Sequence, residues 1–118
     1  MTKRNLFLLG VLILAQLVYA SNWDDTKAQA KQENKLILLK FSGSDWCGPC
    51  IQLQKVIIDD PVFEQFAHDK LVLFKADFPR LKKNQLPKEQ QAINDQLAET
   101  YNPEGEFPCM VLIDAQGN

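Results

Sequence analysis

Cys47-Gly48-Pro49-Cys50 sits where a strand-like run gives way to helical spacing, and that placement limits what the chain can become. Leu36-Ile37-Leu38-Leu39-Lys40-Phe41 is almost continuously apolar, as a central strand covered on both faces should be. Ser42-Gly43-Ser44-Asp45 supplies a turn, and Cys50, Leu53, Val56 and Ile57 then recur with the spacing of one helix face. A cysteine at a helix start meets unpaired backbone N–H groups and the positive end of the helix dipole. Both stabilise a thiolate. The spacing closes a disulfide within one turn, so the pair reads as a redox switch rather than a staple. Cys47 is the candidate nucleophile, expected to be solvent-reachable. Cys50, one turn into the helix, is the candidate resolving thiol.

The competing reading of such a pair is half of a zinc site. Zinc needs four ligands, and beyond the pair the chain offers only Cys109 and the single His68. No metal or other cofactor is therefore expected.

The first twenty residues read as a leader rather than as fold. Lys3 and Arg4 precede an apolar stretch from Leu6 to Leu17, and Val18-Tyr19-Ala20 suits signal-peptidase cleavage after Ala20. The stretch is shorter than the ~20 residues a spanning helix needs, so no stable anchor is expected after cleavage. Residues 21–118 are then one small domain. Loss of Lys3 and Arg4 changes the balance from 13 basic and 15 acidic residues to 11 and 15. A mildly acidic domain argues against a nucleic-acid partner. Export, to a periplasmic or extracellular location, also puts the cysteines where disulfides persist. Of three cysteines, Cys47 and Cys50 are the obvious pair and Cys109 is left over.

The remaining pattern predicts a polar helix over 21–34 with Trp23 and Ala30 inward, and an active-site helix from Cys47 to Ile58. A second helix after Asp59-Asp60-Pro61 should bury Phe63, Phe66 and Ala67. A strand over Leu71–Asp77 leads to a loop over 78–87 with Arg80, Lys82 and Lys83, to which no role is assigned. A helix from Lys88 to Thr100 and a strand over Pro108–Ile113 complete the order. That order implies a parallel βαβ unit followed by a change of strand direction. Asp114-Ala115-Gln116-Gly117-Asn118 has hairpin-turn chemistry, with Gly117 suited to positive φ.

With Trp46 before the first cysteine and Glu106-Phe107-Pro108 far downstream, the chain resembles the thioredoxin superfamily from about Trp23 to Asn118. The Phe41-Ser42-Gly43-Ser44-Asp45-Trp46-Cys47 run is most similar to secreted or periplasmic bacterial thioredoxin-domain proteins. The resemblance implies an α/β fold, a three-layer α/β/α sandwich on a mixed sheet. It also implies that this chain lacks the family's final antiparallel strand and C-terminal helix. Met110, Val111, Leu112 and Ile113 should then be more exposed than Leu36–Phe41, and the product should be marginally stable.

The resemblance further implies a thiol-disulfide oxidoreductase acting on protein disulfides. Trp46 flanks the cysteines, Gly48 and Pro49 set the conformation between them, and a cis Phe107–Pro108 bond lines the substrate groove. Gly-Pro between the cysteines points to a reductant, since thioredoxin itself lies at roughly −270 mV against roughly −120 mV for a strong periplasmic oxidant. A reductant in an oxidising compartment needs a membrane electron donor. A disulfide oxidase or isomerase on the same scaffold, or an inactive truncated binding module, are the alternatives.

Three residues depart from the family pattern. Phe107 is bulkier than usual. Cys109 stands where threonine is common, either as a small buried residue or as a third thiol. Family members also hold a buried acid before the motif, whereas Phe41 is the gapless equivalent here and Lys40 the equivalent if the turn is one residue longer. Neither is an acid, and Asp45 is expected to be exposed, so the proton route to Cys50 has no assigned residue.

Overall fold

The computed structural model describes residues 22–118, and the leader reading over 1–20 lies outside the described residues. The elements run α1 (Asn22–Glu33), β1 (Leu36–Ser42), α2 (Gly48–Leu53), a π-helical extension (Gln54–Ile58), α3 (Pro61–Lys70), β2 (Leu71–Asp77), a 3₁₀ turn (Lys82–Asn84), α4 (Lys88–Tyr101) and β3 (Cys109–Ile113). The sheet order is β2-β1-β3, with β1 parallel to β2 and antiparallel to β3. This is the mixed sheet of a thioredoxin-like α/β fold, with the near-continuous apolar strand at its centre.

One sheet face holds the core. Ile37, Leu39 and Phe41 of β1, Val72, Phe74 and Ala76 of β2, and Ile113 of β3 pack with Ala30 of α1 and Leu97 of α4. Trp23 meets Phe74 edge to face, with ring centroids 5.0 Å apart. Because side chains alternate along a strand, the register places Leu38, Lys40, Leu73, Lys75, Met110 and Leu112 on the other face. There Met110 is 44% and Leu112 57% exposed, as expected for β3, which has no partner on its outer side among the described residues. Ile113, also expected to be exposed, is buried at 2% because the same alternation turns it inward.

Two helical faces differ from the periodic reading. Val56 and Ile57, expected inward with Cys50, are exposed. The π-helical stretch holds more residues per turn, as the Asp59 N–H to Gln54 carbonyl bond of 2.8 Å shows, and so rotates both outward. Phe66 of α3 is likewise exposed, and Ala67 is the residue that α3 buries. The start of α3 follows expectation, with Asp60 accepting from the N–H groups of Val62 and Phe63 ahead of Pro61 at the first position. Gly117 has φ +94°, the positive value its turn requires.

Candidate active site

The site forms where β1 ends and α2 begins. Cys47 caps α2, its Sγ accepting from the Cys50 N–H at 3.2 Å, and Pro49 lies in the first turn, where no N–H is missed. Cys47 and Cys50 are joined by a disulfide, their Cα atoms 5.2 Å apart. Cys50 is 2% exposed. Cys47, expected to be reachable, is 5% exposed in this disulfide-bonded form. Gly48 and Pro49 stand exposed beside it, and space around Gly48 is open.

Trp46 is fixed from four sides. Its Nε1–H donates to the Phe78 carbonyl at 2.7 Å, and Phe107 meets its ring edge to face at 5.5 Å. The Arg80 guanidinium lies 3.7 Å from the ring centroid, a cation–π contact. Gly43 packs against the indole so closely that any Cβ there would overlap it. The Phe107–Pro108 peptide is cis, as the resemblance implied. Phe107 also meets Phe78 at 5.5 Å, so its bulk becomes part of an aromatic cluster with Trp46.

Asp45 gains a role that its neighbours in sequence do not suggest. Its carboxylate accepts from the N–H groups of Arg80 at 2.9 Å and Leu81 at 3.0 Å, and from Asn84 Nδ2 at 3.0 Å. These donors, the Arg80 N–H foremost, hold its carboxyl below the usual aspartate value. Asp77 anchors the same turn from below, accepting from the Ser44 N–H at 2.9 Å and from its hydroxyl. The partners lie more than 30 residues apart in sequence, so no local pattern announces them.

Cys109 is half-buried on β3 opposite Phe41, packed against the core cluster. Desolvation, with a smaller push from Glu106, raises its thiol, which disfavours the reactive thiolate. Among the described residues no group of three His, Cys, Asp or Glu side chains converges to hold a metal ion.

The one-residue ambiguity before the motif resolves in favour of Lys40. Phe41 points into the core and stacks near Phe78, whereas Lys40, 6% exposed, donates from Nζ to Gln54 Oε1 under the active-site helix. Desolvation, then the charge of Lys75, lowers the Lys40 pKa.

The family model for thioredoxin-like proteins matches residues 18–115. The chain belongs to the thioredoxin-like family. It is 43% identical over 88 residues to the disulfide bond reductase DsbH of Chlamydia pneumoniae, covering 75% of this chain and 51% of that protein. To the thioredoxin-related protein DsbJ of the same organism it is 27% identical over 98 residues, covering 82% of this chain and 27% of DsbJ. A solved DsbH oxidoreductase structure superposes with a TM-score of 0.72 at 40% identity, covering 79% of this chain and 62% of that one. The chain thus spans about half the length of DsbH.

Proposed function

We propose that the chain is an exported thiol-disulfide oxidoreductase that reduces protein disulfides through Cys47 and Cys50. The observation that carries this reading is the disulfide at the α2 N-terminus, with the Cys50 N–H on the Cys47 sulfur. In the dithiol form the same N–H and the helix dipole stabilise a Cys47 thiolate. That thiolate attacks a substrate disulfide to form a mixed disulfide. Cys50 then attacks the Cys47 sulfur, regenerating the intramolecular bond and releasing the substrate as a dithiol. Trp46, Phe107 and the cis Pro108 form the apolar groove against which an extended substrate segment lies, with Gly48 and Pro49 at its exposed rim.

The reducing direction is supported by the Gly-Pro dipeptide and by the likeness to a protein named as a disulfide bond reductase. The residue pattern over 1–20 supports export to the periplasm or beyond, where a membrane electron donor returns the pair to the dithiol.

Insulin-disulfide reduction by the purified chain tests the activity, and equilibration with glutathione tests the direction. Turnover with a potential well below that of the glutathione couple is expected. No turnover, or a potential near that of a strong oxidant, overturns the corresponding half. Mass spectrometry of the exported protein should find Ser21 at its N-terminus. Retention of residues 1–20 would remove the leader reading.

A further inference from the structure

Beside Cys50 lies an open cleft of about 290 Å³ lined by Ser42, Ser44, Gln54, Lys55, Asp59 and Lys75 as well as by Cys50 itself, with Trp46 outside its lining. It opens onto the otherwise buried resolving cysteine. Gln54, one helical turn after Cys50, joins the cleft to its floor. Its Oε1 accepts from Lys40 Nζ, and its Nε2 donates to Asp59 Oδ1 at 2.7 Å. Lys40 and Lys75 are register partners on adjacent strands and share this sheet face. Two ammonium groups therefore stand side by side beneath the active-site helix.

Side-by-side lysines are costly, since each charge repels the other and Lys40 is also withdrawn from water. The charged groups near them are few. Asp59 at the cleft wall and Asp77 of β2 keep their negative charges and act on Lys40, while Lys55 of the π-helical stretch adds a further positive charge at the wall. Three lysines, Lys40, Lys55 and Lys75, against two aspartates leave a balance of one positive charge around the cleft. A positive potential favours the anionic form of a thiol facing it.

We propose that Lys40 and Lys75 are positioning residues for the resolving step, stabilising the Cys50 thiolate, Lys75 from the cleft wall and Lys40 from beneath Gln54, while its proton leaves through the cleft to solvent. The proposal rests on the reductase reading above and deepens it. In the mixed disulfide, Cys50 loses its proton to solvent water. The Cys50 thiolate then bonds to the Cys47 sulfur, the bond between Cys47 and the substrate sulfur breaks, and the electron pair departs on the substrate thiolate. Electrons balance, because the substrate gains the two that the cysteine pair gives up. A cation pair here takes over, by electrostatics alone, the assistance that a buried carboxylate would give by accepting the proton. It acts while both lysines are charged, and fades as pH rises through the lowered pKa of Lys40.

The test is a titration of the reduced chain labelled at cysteine Cβ, followed by NMR, in wild type and in the Lys75→Gln, Lys40→Met and Lys40→Arg variants. Removing either charge is expected to raise the Cys50 pKa by about one unit, and Lys40→Arg to restore it. Release of a thionitrobenzoate leaving group from Cys47 should slow about threefold at neutral pH in Lys75→Gln, since one pKa unit costs about tenfold in thiolate and returns about threefold in nucleophilicity. Lys75 is exposed, so Lys75→Gln reports even if Lys40→Met does not fold. A Cys50 pKa unmoved or lowered in Lys75→Gln overturns the proposal. The titration needs no protein substrate, so a wild type unable to reduce insulin would overturn the reductase reading while the Cys50 shift still judged this one.

Discussion

The two faces of the sheet are built from the same three strands and do opposite work. On one, Ile37, Leu39, Phe41, Ala76 and Ile113 are almost wholly buried under α1 and α4. On the other, Leu73, Met110 and Leu112 remain about half exposed, and the buried positions include a lysine. The first face supplies stability, since each fully buried aliphatic contributes ~1.5–3 kcal/mol. The second carries the active-site helix, the cleft behind Cys50 and the Lys40–Lys75 pair. Redox chemistry needs polar and charged groups near a buried sulfur, and they are tolerated where they do not interrupt the core.

The comparison is broken most directly by truncating one side chain on each face. Phe41→Ala should cost ~3–5 kcal/mol, the range for large core aromatics, and Leu112→Ala on the same sheet only about 0.5 kcal/mol. Urea melts of both variants check this. Equal costs would mean that the second face is as well packed as the first.

Much of this division is legible in sequence, and what is not has a physical reason. The continuous apolar run of β1, the Asp60-Pro61 helix start and the strand β2 follow from periodicity and capping chemistry. The disulfide pair follows from spacing, and the cis Phe107–Pro108 bond from resemblance. Val56 and Ile57 mislead because a π-helical turn leaves the same apolar spacing as an α-helix while rotating it outward. Phe41 and Lys40 cannot be assigned to faces until the length of the turn before Cys47 is fixed, since one residue of slip exchanges the faces. Asp45, Asp77 and Arg80 are invisible because their partners are distant in sequence.

At the junction of the two faces, Gly43 meets the Trp46 indole with no space for a methyl group. Gly43→Ala should cost ~1–3 kcal/mol, as overpacking does, and should shift the Trp46 fluorescence as the ring moves off the Phe78 carbonyl. An unchanged emission spectrum and melt would show that the turn adapts freely.

Lys40 sharpens the contrast, because its removal should stabilise the fold while impairing the chemistry. Its pKa in the fold lies below that of the unfolded chain. Between the two values the unfolded state binds a proton that the folded state has lost, so stability rises with pH there. Below both values the penalty of holding the charge is constant and complete. Lys40→Met should therefore be more stable than wild type at neutral and acidic pH, with the gain shrinking as pH rises through the lowered Lys40 value. Urea midpoints at several pH values measure it, and a destabilised Lys40→Met would mean that the Gln54 contact outweighs the desolvation.

The smallest effect belongs to Asp45, which lies on neither face but ties the loop carrying Arg80 to the turn before Cys47. Its carboxyl is lowered chiefly by the Arg80 N–H, with Asn84 and the Leu81 N–H adding to it. A lowered carboxylate contributes fully above its unfolded value and loses that contribution as pH falls through the folded one. Because Asp45 is solvent-accessible, the global melt should hardly respond, and the change should appear locally. The Arg80 and Leu81 amide proton resonances should move together, with a midpoint below the ordinary aspartate value of ~3.9. Asp45→Asn should abolish that step, since an amide does not titrate there. As the loop loosens, Arg80 should leave the Trp46 ring, and the aromatic shifts of Trp46 should follow the same curve. Separate midpoints for the two amides, or one at or above the ordinary value, would show that Asp45 does not hold the loop as a single charged anchor.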